Sequence, residues 1–164
     1  MGVIGLDHVA VQVADVDRSS RFYQKHLGFI ETRRASENAT YVQDVVGHAG
    51  CTLEMAFLTI PGTSQFLEII EYRDAPRQAV DPDTANPGTG HFCVVVDDLE
   101  ALYKRLRSVG VEFVSAPATP TSGPNAGGRV VYMKDPDGIR VELVELADGK
   151  AGMMTAPREG QSGR

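Results

Sequence analysis

The chain is short of positive charge. Sixteen Lys and Arg stand against twenty-two Asp and Glu, a formal net charge of −6. Nucleic acid and anionic membrane are thereby excluded as main partners, since both are held by a basic surface. Long apolar runs are missing too: none approaches the roughly 18–20 residues that a membrane span needs. The opening Met1-Gly2-Val3-Ile4-Gly5 lacks the basic region and apolar stretch of a signal peptide. Leu6 stands where a myristoylated chain would carry Ser or Thr. Cysteine is scarce. Cys51 and Cys93 are far apart with no CxxC, which predicts two buried, reduced thiols rather than a disulfide. No phosphate loop of the P-loop or dinucleotide type is present, because Gly123-Pro124-Asn125-Ala126-Gly127-Gly128 lacks a preceding strand and a following helix. A cytoplasmic globular protein is expected. Its 164 residues, 42% hydrophobic and 23% charged, suffice for a real core.

What is present is a repeat. Leu6-Asp7-His8-Val9-Ala10-Val11-Gln12-Val13 leads through an acidic turn into a helical pattern closing at Leu27-Gly28-Phe29. Gly90-His91-Phe92-Cys93-Val94-Val95-Val96 leads through Asp97-Asp98 into a second one closing at Val109-Gly110-Val111. The histidines lie 83 positions apart and the glycines 82, a match that needs one single-residue gap. Period-two alternation makes each opening segment a strand with one apolar face and one face that displays its histidine. Asp15 or Asp17 can cap the first helix, with Phe22, Tyr23 and Leu27 inward. Asp97 or Asp98 can cap the second, with Leu99, Leu102, Leu106 and Val109 inward. Strands are then expected at about 29–34, 52–60 and 65–72, and again at about 111–115, 129–134 and 139–146. Pro61-Gly62-Thr63-Ser64 and Asp135-Pro136-Asp137-Gly138 supply the hairpin turns. The order is β-α-β-β-β twice: a first module over 1–78, a linker over 79–89, a second module over 90–147 and a disordered tail over 148–164.

Each copy ends in a strand bearing a carboxylate among apolar residues, Glu68 in Phe66-Leu67-Glu68-Ile69-Ile70 and Glu142 in Arg140-Val141-Glu142-Leu143-Val144. A carboxylate so placed is costly unless it is paired or coordinates a cation. His8, Glu68, His91 and Glu142 form an N2O2 set suited to one divalent ion (Zn, Ni, Co, Mn or Fe(II)), with two coordination positions open for a chelating substrate.

These residues carry a resemblance. The paired halves, the Asp-His-Val-Ala-Val opening, the Phe22-Tyr23…Leu27-Gly28-Phe29 helix end and the Lys134-Asp135-Pro136-Asp137-Gly138…Val141-Glu142-Leu143 ending resemble the vicinal oxygen chelate superfamily over residues 4–147. That superfamily includes glyoxalase I, methylmalonyl-CoA epimerase, extradiol dioxygenases and drug-resistance proteins. The resemblance implies an α+β fold, with two βαβββ modules forming a cupped mixed sheet around a metal site held by His8, Glu68, His91 and Glu142. It further implies a homodimeric isomerase or lyase that moves a proton next to a metal-bound carbonyl through an enolate. The substrate would be an acyl-CoA thioester, a thiohemiacetal or a hydroxyketone. Glu68 and Glu142 would be catalytic as well as ligating, and Glu54 in Thr52-Leu53-Glu54-Met55-Ala56-Phe57 is either a second base, as in the epimerase, or a rim residue facing water. An Fe(II) extradiol dioxygenase would need only His8, His91 and Glu142, and a metal-idle binding protein would lack part of the set.

Overall fold

The structure, a computed structural model, describes residues 2–148. The expected tail, apart from Asp148, lies outside the described residues. The chain divides into two units, one of the residues up to Gly88 together with Asp135–Ile139, the other of Thr89–Lys134 and the chain from Arg140 onward.

In the first unit β1 (His8–Gln12), α1 (Val16–Leu27), β2 (Ile30–Glu37), α2 (Thr40–Val46), β3 (Thr52–Thr59) and β4 (Phe66–Arg73) follow in order. The strands form one mixed sheet, β1-β4-β3-β2, with β1 parallel to β4 and the other pairs antiparallel. One face packs on α1, where Tyr23, Leu58, Leu67 and Ile69 are fully buried. Asp15 caps α1 by accepting from the Arg18 backbone N–H, which holds its carboxyl below the usual range, and Gly28 stops it in the left-handed conformation at φ 71°. The turn Asp135–Ile139 completes this unit. There the Tyr23 hydroxyl donates to Asp135 at 3.0 Å, and Arg18 pairs with Asp137 at 2.6 Å.

The sequence pattern does not announce α2. Three of its seven residues are valine, a poor helix former, and no side chain caps its start. Packing decides instead. Val42 and Val46, one turn apart, lie against Leu53, Met55 and Ile70 on the sheet face away from α1.

In the second unit β5 (His91–Val95), α3 (Leu99–Ser108), β6 (Arg129–Lys134) and β7 (Arg140–Glu145) form a three-stranded sheet in the order β5-β7-β6, with β5 parallel to β7. Leu99 and Leu106 of α3 are fully buried, whereas Val109, expected inward, is 55% exposed. The strand expected at 111–115 is reduced to an isolated bridge between Phe113 and Met133. Cys51 is buried, but Cys93 is exposed, which corrects the expectation of two buried thiols; neither forms a disulfide. The mixed α+β architecture is the one expected. No helix among the described residues is long and apolar enough to cross a membrane.

Candidate metal centre

In the first unit the parallel register sets Ala10 opposite Glu68. His8 lies two residues upstream on the same pleat face, so its ring reaches across to the carboxylate. His8 Nε2 stands 3.1 Å from Glu68 Oε2. The second unit repeats the construction. Cys93 is opposite Glu142, His91 lies two residues upstream, and His91 Nε2 stands 3.1 Å from Glu142 Oε2. Both imidazoles are about two-fifths exposed and both carboxylates largely covered, 41% against 13% and 38% against 18%. Each sheet therefore presents one nitrogen and one oxygen at hydrogen-bond distance.

The surroundings of the two pairs differ. His8 Nδ1 lies 2.8 Å from Asp7 Oδ2. With that nitrogen protonated toward Asp7, a neutral ring turns the Nε2 lone pair toward the Glu68 oxygen. Two acceptors 3.1 Å apart are stable only with a cation, proton or metal, between them. At His91 the neighbour is a hydroxyl. Tyr132, directly opposite Glu142 on β6, places its oxygen 3.2 Å from His91 Nε2 and 3.4 Å from Glu142 Oε2. Burial, and then the Glu142 carboxylate, raise the Tyr132 pKa, so the hydroxyl stays protonated. The same register position in the first unit, opposite Glu68, belongs to Phe57. The donor chemistry of each pair fits a borderline divalent ion. Among the described residues no group of three or more His, Cys, Asp or Glu is placed to hold a metal. The four expected ligands are thus brought together as two pairs, one in each unit.

Glu54 is a correction. Register sets it opposite Glu71, and Phe57 opposite Glu68. Alternation then puts Glu54 on the sheet face opposite to Glu68, where it accepts from Ser36 Oγ at 2.9 Å and faces Arg73 at 3.5 Å. It does not face the His8–Glu68 pair, so of the two readings of Glu54 the epimerase-type base has no geometric support from this register. Four arginines of the strands that could hold a substrate anion have other surroundings. Arg34 is clamped by Glu31 and Asp17, Arg129 pairs with Glu100, Arg33 lies over the Phe57 ring, and Arg140 is buried.

Two residues that sequence reasoning passed over complete the repeat. Glu71 accepts from the first backbone N–H of α1, at Val16, at 3.1 Å, and Glu145 from the first N–H of α3, at Leu99, at 2.7 Å. A carboxylate at a helix N-terminus stabilises by about 0.3–1 kcal/mol, and more when partly buried. The signal was there to be read, because Glu68-x-x-Glu71 and Glu142-x-x-Glu145 match in spacing. One carboxylate of each motif faces the histidine, and the next odd-numbered step, three residues on, faces the helix.

A sequence model of the Glyoxalase/Bleomycin resistance protein/Dioxygenase superfamily matches residues 5–143. The chain belongs to this superfamily. Among relatives, it is 32% identical over 158 residues to a 2-epi-5-epi-valiolone epimerase from an Actinomyces species, covering 90% of this chain and 82% of that one. It is 31% identical over 149 residues to the lactoylglutathione lyase of Haemophilus influenzae, covering 89% and 96%. The fold is shared with a glyoxalase family protein from Bacillus cereus, with a TM-score of 0.73 at 21% identity over 90% of this chain and 97% of that one. It is shared also with the trypanothione-dependent glyoxalase I of Leishmania major, with a TM-score of 0.59 at 24% identity over 84% of each chain. Superfamily members generally use a divalent metal ion.

Proposed function

We propose that the chain is a divalent-metal-dependent isomerase or lyase whose ion is held by His8, Glu68, His91 and Glu142. The observation that carries this reading is the duplicated His–Glu pair, with the same two-residue offset and the same 3.1 Å separation in both units. Relatives named as a lyase and as an epimerase support the reaction type. When bound, a divalent ion would polarise a carbonyl and favour loss of the adjacent proton. The chain's own residues do the rest. The imidazoles contribute neutral nitrogens, fixed in the first unit by Asp7. Glu68 and Glu142, each mostly covered, are the carboxylates positioned to take and return a proton next to that carbonyl. The Tyr132 hydroxyl supplies a donor at the second pair. Substrates of this class are small molecules with a carbonyl beside an acidic C–H: a thiohemiacetal, a hydroxyketone or an acyl-CoA thioester. A homodimer is the assembly proposed.

The dioxygenase reading needs three protein ligands and leaves Glu68 idle, whereas Glu68 is built against His8 as Glu142 is against His91. The reading is tested by incubating metal-loaded protein in deuterated water with the glutathione hemithioacetal of methylglyoxal, with 2-epi-5-epi-valiolone and with a 2-substituted acyl-CoA. Deuterium entering beside the carbonyl of one of them, and lost on chelation, is the expected result. No exchange with any of the three, together with oxygen uptake on catechols by the Fe(II) form, would replace the reading by the dioxygenase one.

A further inference from the structure

The first unit holds a pocket of about 630 Å³ that none of the four histidine and glutamate residues lines. This is within the usual size range of small-molecule sites. It opens past the ends of the parallel strands β1 and β4, where Gln12 and Tyr72 point from the same pleat faces as His8 and Glu68. Val80, Pro82 and Ile139 give it apolar walls. The His48 ring meets Tyr72 edge-on at 5.8 Å, so His48 is part of this wall rather than an isolated loop residue.

Its charge balance is uneven. Arg77 and Asp137 are the charged residues of the lining. Asp137 is already engaged by Arg18 at 2.6 Å, by the Ser19 hydroxyl at 3.3 Å and by the Ala14 backbone N–H at 3.3 Å. Arg77 donates from one nitrogen to the Ala14 carbonyl at 3.3 Å and has no ion pair among the described residues. A guanidinium offers five N–H donors, so most of its fork remains available. A doubly charged phosphate would call for more than one cation and would lie close to Asp137. A single carboxylate on an apolar body suits one guanidinium, a greasy wall and the Tyr72 and Gln12 polar groups.

We propose that this pocket is a subsite for a carboxylate carried on an apolar stem, with Arg77 as its counter-ion. The site goes beyond the metal reading and does not depend on it. The probe is phenylbutyrate, titrated by calorimetry against the whole protein, with phenylbutyramide as its neutral isostere. The carboxylate should bind at least about fivefold more tightly than the amide, an effect of the size expected for one partly screened charge pair. Arg77→Gln should erase that preference and leave amide binding unchanged, and Arg77→Lys should restore part of it. Equal binding of the two probes, a preference that survives in Arg77→Gln, or no saturable binding up to the solubility limit would each overturn the proposal. The titration is run with and without divalent ion, so a protein that binds no metal leaves this result intact, and the reverse holds as well.

Discussion

The His8–Glu68 and His91–Glu142 pairs share a backbone and differ in what surrounds it. In both units the histidine opens a strand parallel to the one bearing the glutamate, and a second glutamate three residues on receives the first N–H of the helix. An Asp caps the repeated helix of each unit, Asp15 for α1 and Asp98 for α3. Around that shared frame the first unit places Asp7 behind its imidazole and Phe57 opposite Glu68, and α2 covers part of the sheet face. The second unit has Gly90 before its histidine and Tyr132 opposite Glu142. The elements that position the nitrogen and the oxygen are common to both copies. Those that decide where protons reside are specific to one. A duplication keeps what the geometry requires of both halves and leaves the local electrostatics free to differ.

The largest effects should come from the carboxylates. On the substrate identified by deuterium exchange, Glu68→Gln and Glu142→Gln separate ligation from proton transfer. The residue that carries the proton should lose about 10²–10⁴ in rate, while the other loses mainly metal affinity. Equal, small losses in both variants would mean that neither carboxylate handles the proton.

A second contrast concerns stability. Tyr23 and Leu106 occupy corresponding positions of the two helices, and both are fully buried. The phenol needs an acceptor that the leucine does not, and Asp135 provides it. Asp135→Ala should cost about 1–3 kcal/mol in chemical denaturation. Adding Tyr23→Phe should recover part of that loss, because the hydroxyl then disappears along with its partner. Burial raises the Asp135 pKa despite its hydrogen bonds from Ile139, Asp137 and Tyr23. The native state therefore binds more protons than the unfolded chain between the usual aspartate value and the raised one, and this group's contribution to stability falls as pH rises through that window. The stability of wild type relative to Asp135→Asn should increase on acidification through it. A difference independent of pH would show that Asp135 titrates normally.

The helix-start glutamates give a smaller contrast. Glu71→Gln and Glu145→Gln should each lower stability by about 0.5–1 kcal/mol, and by similar amounts, if they are equivalent parts of the repeat. A silent change at one and a large change at the other would break the equivalence. Smallest should be the effect of Tyr132→Phe, which makes the second pair resemble the first. Metal affinity should change only severalfold, while the pH profile of turnover shifts, because the hydroxyl touches both His91 and Glu142. A Phe57→Tyr change, the reverse experiment, should be tolerated as a surface-adjacent gain of one hydroxyl.

Much of this was legible in the residues, because a repeat states each element twice. The helix caps and the glycine stops recur at nearly matched spacing, and each copy closes with a hairpin turn and a strand bearing a carboxylate, which is how the four candidate ligands stand out. What failed to recur was harder to read. Helix α2 is present in one copy and forms through tertiary packing of Val42 and Val46, against its intrinsic propensity. The strand expected at 111–115 exists as a strand only in the first copy's counterpart, β2. The two readings of Glu54, second base or rim residue, stay open in the sequence because alternation along one strand gives its neighbours but not which face they share with Glu68. That takes the cross-strand register, which pairs Phe57, not Glu54 or a face-mate, with Glu68. Tyr132 was missed for the same reason, since only the register reveals that it stands opposite Glu142.

The central claim is that the two pairs serve one ion, and metal stoichiometry tests it most directly. Apo protein should be titrated with Ni²⁺ or Zn²⁺ by calorimetry, alongside His8→Ala and His91→Ala. The account predicts one tight ion per chain, with either substitution weakening that same site by more than about 100-fold. Two weaker, independent ions per chain, or a variant that leaves the tight site untouched, would show that each His–Glu pair stands alone and would contradict it.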